Sequence, residues 1–241
     1  MFTNRTMFCN EEKQMKQELI WEYYQSEMPE SFSASRGRLA FLASKVKAKG
    51  KVLNIGVGGG IFEEEAIKRN LDVFSLDPSE STIKILCKRL GIGDKAVVGY
   101  SQNMPFSDET FDAVVISEVI EHLSNDDVEK TLREIRRVLV TGGRLIGTVP
   151  AREDLKKQIV VCPECGVKFH RWGHVQSFEP DIIKTLIQNS GFLLEEIIER
   201  PFINWPSLNF KGRLTAVIKV VFNKFGIHSS DETICFWGIK Q

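Results

Sequence analysis

Three groups of residues in this chain have types and spacings that could do chemistry. The first runs from Lys51 to Gly60 and reads K-V-L-N-I-G-V-G-G-G, an apolar stretch whose second half is glycine at every position except Val57. Glycine tolerates positive φ and lets a ligand lie against the main chain, while a helix that follows at once offers its free N–H groups and dipole to that ligand. A nucleotide or nucleoside suits such a turn. The second group is Asp77, which closes the apolar run from Val73 to Leu76. It stands about twenty residues past the glycines, where an α/β nucleotide site places a carboxylate that accepts from both ribose hydroxyls. A helix N-cap is the bland alternative, but Pro78 and Ser79 already serve the next helix start. The third group is Cys162, Cys165, His170 and His174, spaced Cys-x2-Cys-x4-His-x3-His. Four such donors can close a tetrahedron around a structural Zn²⁺, with Pro163 and Gly166 giving the turn that aims both thiolates at one point. A free cysteine pair beside two loop histidines is one alternative, and His170 or His174 as a catalytic base is another.

The elements that must position these residues follow from periodicity. Residues 1–48 read as a polar helical preface, with Met15, Leu19 and Tyr23 on one helical face, a break at Met28-Pro29, and a second helix carrying Leu39, Leu42 and Val46. Capping a sheet edge is its plain role; covering the cofactor or acceptor with Trp21, Tyr23, Tyr24 or Arg36 is the functional one. From residue 49 onward, strands at 51–55, 72–77, 96–99, 111–117, 144–149, 192–198 and 233–239 alternate with helices. The helix opened by Ser124 carries Val128, Leu132, Ile135 and Leu139 inward and is expected to stop at Gly142-Gly143. This order predicts an α/β fold: a doubly wound, mostly parallel seven-stranded sheet of Rossmann-like type, its last strand antiparallel at or near an edge, with ligands outside the carboxyl ends of the strands. The domain at 49–241 would include a metal-binding insertion at 158–177 and an acceptor-side cap at 200–230.

A dinucleotide fingerprint, G-x-G-x-x-G, fails because its third glycine falls where Ile61 stands. Gly56-Val57-Gly58-Gly59-Gly60 resembles instead the first motif of class I S-adenosylmethionine-dependent methyltransferases, close to D-I-G-C-G-T-G, with Asn54 and Val57 as departures. The run P-F-x-D-x-x-F-D-x-V-x-x-S-E-V-I-E-H, from Pro105 to His122, resembles small-molecule methyltransferases of the ubiquinone-biosynthesis type, and the similarity extends from about Val52 to Pro150. The resemblance implies that Asn54, Gly56, Val57, Gly58, Asp77, Pro78, Ser101, Gln102 and Ser117 hold S-adenosylmethionine. Ser101 and Gln102 would meet the adenine, because Tyr100 stands where the family usually has an acid. It also implies that Glu118, Glu121 and His122 lie beside the cofactor sulfur, with His122 the natural base by its ordinary pKa. Arg171 and Trp172 would face the acceptor.

Composition narrows the function classes. Basic and acidic residues balance at 32 each, so there is no whole-molecule field for gathering nucleic acid. No leading charged-then-apolar segment and no long apolar run is seen, and five cysteines make an odd number, so a soluble cytoplasmic protein is expected. The stretch 201–230 holds no acid but carries Lys211, Arg213, Lys219 and Lys224 among aromatic and aliphatic residues, which suits a cap over the acceptor or a peripheral contact with an anionic membrane. The expected reaction is methyl transfer to a small-molecule, glycan or lipid-intermediate acceptor, at oxygen in preference to nitrogen or carbon. Val149-Pro150-Ala151-Arg152 lacks the Asn-Pro-Pro-Tyr pattern tied to amino methylation of bases. A nucleic-acid-modifying module gripping a backbone with the knuckle and basic segment is the alternative; a nicotinamide oxidoreductase is disfavoured by Ile61. Oligomeric state is not legible.

Overall fold

A computed structural model of the chain describes residues 19–228 and 232–241. In chain order the strands are β1 (Lys51–Ile55), β2 (Asp72–Asp77), β3 (Ala96–Val98), β4 (Phe111–Ser117), β5 (Leu139–Pro150), β6 (Ile159–Val161), β7 (Lys168–His170), β8 (Phe192–Arg200) and β9 (Thr233–Lys240). The helices are α1 (Arg36–Lys45), α2 (Ile61–Lys68), α3 (Glu80–Leu90), α4 (Asn125–Val138), α5 (Pro180–Asn189) and α6 (Phe210–Lys224). Seven strands form one sheet in the order β3-β2-β1-β4-β5-β9-β8, and β6 and β7 make a separate hairpin. Strands β1 to β5 run parallel, and β9 is antiparallel to both its neighbours. This is the expected seven-stranded Rossmann-like sheet, with β9 one place inside the edge that β8 occupies.

The central strands are apolar on both sides because both faces are covered. Val52, Ala113 and Val115 enter the layer with Leu42 of α1 and Phe62 of α2, while Leu53, Ile55, Val114 and Ile116 enter the opposite layer with Leu132 and Ile135 of α4. α4 starts where Ser124 accepts a hydrogen bond from the Asp127 N–H at 3.2 Å, and its stripe of Val128, Leu132, Ile135 and Val138 is fully buried. Each of these side chains contributes about 1.5–3 kcal/mol by leaving water. The helix stops at Val138, earlier than the glycine pair suggested. Leu139 already pairs with Phe111, so strand pairing takes the chain before Gly142 is reached.

Ahead of the sheet, residues 19–22 are helical, Tyr23–Glu27 widen into a π-turn, and Pro29–Ser35 tighten into a 3₁₀ stretch. The break at Met28-Pro29 is thus present, since proline cannot donate into the preceding turn. Met15 lies outside the described residues. The described part of the preface, residues 19–48, folds over the carboxyl ends of β1, β2 and β4, where the site lies.

Candidate active site

At the end of β1 the chain turns through Gly56, Gly58 and Gly60, all at positive φ (82°, 50° and 70°). A Cβ on Gly56 would lie 2.7 Å from Val119, and one on Gly60 would strike Leu86 and Arg89, so the turn must be glycine to lie this close to its surroundings. Phe32 of the preface covers Gly58 and Gly59. The buried Asp77 carboxylate ties the turn to β2 by accepting from the Val57 N–H at 2.8 Å and the Ser79 N–H at 2.9 Å. Burial pushes its pKa up, against those two donors. Gln25 also donates to Asp77 at 3.4 Å, while its amide oxygen accepts from Thr82, so a preface side chain reaches the carboxylate at the end of β2.

Beneath the turn lies an acid that sequence reasoning missed. Asn54 donates to the Gly56 carbonyl and, at 2.8 Å, to Glu63 Oε1, which also accepts from the Ser75 hydroxyl. Glu63 is fully buried, and burial raises its pKa. A buried carboxylate arriving from the first turn of α2 thus holds Asn54 and Ser75 beneath the turn. The signal was present, since Glu63 and Glu64 follow the glycines directly, but helix-dipole complementarity on the surface explained them equally well.

Gln25, Phe32, Asn54, Gly56, Gly58 and Asp77 line a single cleft of about 1180 Å³ that also contains Pro78, Ser101, Gln102, Ser117, Glu118 and His122. Ser101 is buried and bonded through its hydroxyl to Thr131 at 2.8 Å, so its position is held from α4. Ser117 shares a hydrogen bond with Thr148 of β5 in the same way. Tyr100 is about half exposed. A cleft this large exceeds the usual volume for one small ligand and leaves room for a cofactor and an acceptor together.

At the other end of the cleft the chain leaves β4 through Glu118, whose φ of +55° puts a non-glycine residue in the left-handed region. Such strain concentrates at functional sites. The turn presents the Glu118 carboxylate to Arg38 of α1 at 3.3 Å. Glu121 is wholly buried with neither carboxylate oxygen hydrogen-bonded, and burial, reinforced by Glu118, raises its pKa well above the usual range. His122 is packed edge-on against Trp21 at 5.2 Å and His174 at 4.6 Å. Burial and the His174 charge push its pKa down to about 3. It is neutral and weakly basic at physiological pH, so its ordinary pKa, the reason for choosing it, does not apply.

The cysteine and histidine group is parted by strand pairing. β6 and β7 pair Ile159 with His170 and Val161 with Lys168, which puts Cys162 and Cys165 at the hairpin tip and His170 at its base. Three residues of extended chain separate the ends by roughly 10 Å. The histidines converge instead with Glu153, which follows β5. His174 Nδ1 bonds Glu153 Oε2, and His170 Nε2 lies 3.5 Å from Glu153 Oε1. His170 Nδ1 accepts from the His174 N–H at 3.1 Å, which leaves its proton on Nε2. Neither cysteine brings a sulfur within 4.8 Å of this convergence. The four residues therefore do not form the expected tetrahedron within one chain. Trp172 does line the cleft, its ring tilted against Tyr24 at 4.7 Å, whereas the exposed Arg171 turns back over the Trp172 ring and is not a cleft residue. Arg36 is engaged on the surface with Glu64 and Glu65. Arg38, Gln25, Phe32 and Glu153 are site residues that sequence reasoning did not find; only Glu153, an acid just past a strand end, carried a local signal.

With this geometry in view, residues 53–147 match the family model of a methyltransferase domain. The chain is 30% identical over 148 residues to an uncharacterized protein of Methanocaldococcus jannaschii, covering 61% of each. It is 28% identical over 166 residues to the human mitochondrial ubiquinone biosynthesis O-methyltransferase, covering 61% of this chain and 42% of that one. The chain thus spans less than two thirds of the length of these relatives. Among solved structures, the 1,6-didemethyltoxoflavin-N1-methyltransferase of Burkholderia thailandensis, with S-adenosylhomocysteine bound, superposes with a TM-score of 0.67 at 14% identity over 94% of this chain and 87% of that one. The fold is the methyltransferase fold, and the segment that matches holds the glycine turn, Asp77 and the Glu118–His122 end.

Proposed function

We propose that this protein transfers a methyl group from S-adenosylmethionine to a hydroxyl of a small-molecule, glycan or lipid-intermediate acceptor. The observation that supports it most is the single cleft joining a glycine cradle and a ribose-type carboxylate to an end rich in titratable groups. The residues present fit the cofactor. The turn gives main-chain approach at Gly56 and Gly58, Asp77 offers the carboxylate to the ribose, and Ser101 and Gln102 stand beside the adenine position. S-adenosylmethionine, when bound, supplies a methyl group on a sulfonium, ready for in-line displacement. The chain's own part is to position the acceptor, exclude water and remove a proton.

For that proton the reading favours His174. Its Nδ1–H is directed at Glu153, which leaves the Nε2 lone pair free to accept from an acceptor hydroxyl in the cleft. With the cofactor and acceptor bound, His174 Nε2 would take the hydroxyl proton and Glu153 would stabilise the resulting imidazolium. Arg38 and Glu118 orient the acceptor. The tilted Trp172–Tyr24 pair walls the same end, and the preface closes over it. The relatives named for ubiquinone biosynthesis support a small acceptor. The exposed apolar side of α6, with Phe210, Leu214 and Phe222, together with Lys211 and Arg213, supports contact with an anionic membrane where a lipophilic acceptor would reside. No described helix is long and apolar enough to cross a membrane.

Thermal-shift titration with S-adenosylhomocysteine and with NAD tests the cofactor, and S-adenosylhomocysteine release over phenols, quinols, sugar nucleotides and lipid-linked glycans tests the acceptor. Stabilisation by NAD alone would refute the reading. His174→Ala should lower turnover by about 10²–10⁴-fold at neutral pH, and loss of the same size in His122→Ala with His174→Ala near full rate would return the base to His122.

A further inference from the structure

The hairpin of β6 and β7 is short, set apart from the main sheet and unusual in what it exposes. Three residues pair on each side, a ladder too small to hold by itself in water. Ile159, Val160, Val161, Val167 and Phe169 are each between 36% and 55% exposed. At the tip, the Cys162 N–H donates to the Val167 carbonyl at 2.9 Å, the Gly166 N–H donates back to the Cys162 carbonyl at 2.9 Å, and Gly166 takes φ +71°. The closed turn holds Cys162 and Cys165, three positions apart, together at the tip of the hairpin. Both cysteines are reduced, and Cys165 is exposed.

This is the ligand geometry of half a structural zinc site. Zinc takes four protein ligands when its role is structural. Among the described residues no histidine, acid or third cysteine completes a set with this pair, because the strands carry His170 to the far end of the hairpin. A second copy can supply the missing ligands, since a two-fold axis through the metal brings an identical pair without any further design. The exposed aliphatic residues flanking the knuckle would then meet their own copies around the metal, covering a surface that one chain leaves in water. We propose that Cys162 and Cys165 of two copies bind one Zn²⁺ in a Cys₄ site and that the hairpin is a metal-dependent dimer contact. The four thiols give up their protons to solvent as the metal binds.

The full chain, purified without a metal-affinity step and supplied with zinc alone, is weighed by native mass spectrometry and analysed for metal. The expected result is about one zinc per two chains, with a mass that falls by half on adding a chelator. Cys162→Ser with Cys165→Ser should be a zinc-free monomer whose melting temperature outside the hairpin is preserved, and His170→Gln should keep both zinc and dimer. Cobalt in place of zinc should give the thiolate charge-transfer intensity of four sulfurs. One zinc per monomer, a dimer that survives both chelation and the double substitution, or a chain that binds no zinc and forms a Cys162–Cys165 disulfide would each overturn the proposal.

Discussion

Replacing Glu121 by glutamine gives the most direct test of the electrostatics at the reactive end. The wild-type carboxyl is fully buried, neither oxygen is hydrogen-bonded, and burial and then Glu118 raise its pKa well above the usual value. A group whose folded pKa exceeds its unfolded one binds more protons in the native state between the two values. Its contribution is therefore present at low pH and lost as pH rises toward the folded pKa. Each pH unit in that window removes about 1.4 kcal/mol. As pH rises above the ordinary carboxylate range the wild type should lose stability relative to Glu121→Gln, whose amide does not titrate, until the folded group has itself ionised. The buried amide carries its own desolvation cost, but that cost is independent of pH, so the slope is the diagnostic and the absolute stability is not. Urea unfolding followed by circular dichroism at several pH values, with both proteins fitted to a common m-value, measures it. Parallel pH profiles would refute the reasoning, because they would mean that Glu121 titrates alike folded and unfolded.

Other perturbations read other parts of the site. His122, pushed down to about 3, resists protonation in the fold, so its share of stability is lost as pH falls below about 6.5, and His122→Gln should remove about 1.4 kcal/mol per pH unit from the acid limb of the unfolding profile. Asp77→Asn keeps the shape of the turn but removes the charge facing the ribose, which should weaken S-adenosylhomocysteine binding by about ten- to a hundredfold in calorimetry. Glu153→Gln should lower turnover with little change in the cofactor Kd, since the amide holds His174 less firmly in its tautomer. Gly147→Val in β5 would drive a Cβ to within 2.2 Å of the Phe236 ring and should cost about 1–3 kcal/mol or more, read as a lower urea midpoint without loss of sheet.

Much of the framework was legible in the chain itself, because the features that set it are local. A run such as Val52 to Ile55 followed by glycines can only be a buried strand entering a tight turn, and Ser124 with acids behind it opens a helix whether or not anything packs on it. Asp77 was placed by its distance along the chain from the glycines, and the structure puts its carboxylate on the Val57 N–H. The acid beneath the turn escaped notice, since nothing in the order of residues tells that Glu63 faces inward while Glu64 faces Arg36. Spacing also misled at the cysteine and histidine group. Four donors close in sequence suggested one tetrahedron, but the hairpin register spends the intervening residues on extended strand.

What the sequence by itself determined was the order of the seven sheet strands, the glycine turn after the first and the acid at the end of the second, because hydrophobic period, glycine and chain spacing act over a few residues. Only the tertiary structure decided which titratable groups meet. Long-range packing brings Arg38 to Glu118, Gln25 to Asp77, and Glu153 to His174. It also buries His122 until its pKa falls to about 3, away from the value that had made it the natural base. Burial and charge neighbours belong to the folded surroundings of a side chain rather than to its place in the chain, so these assignments had to wait for the fold.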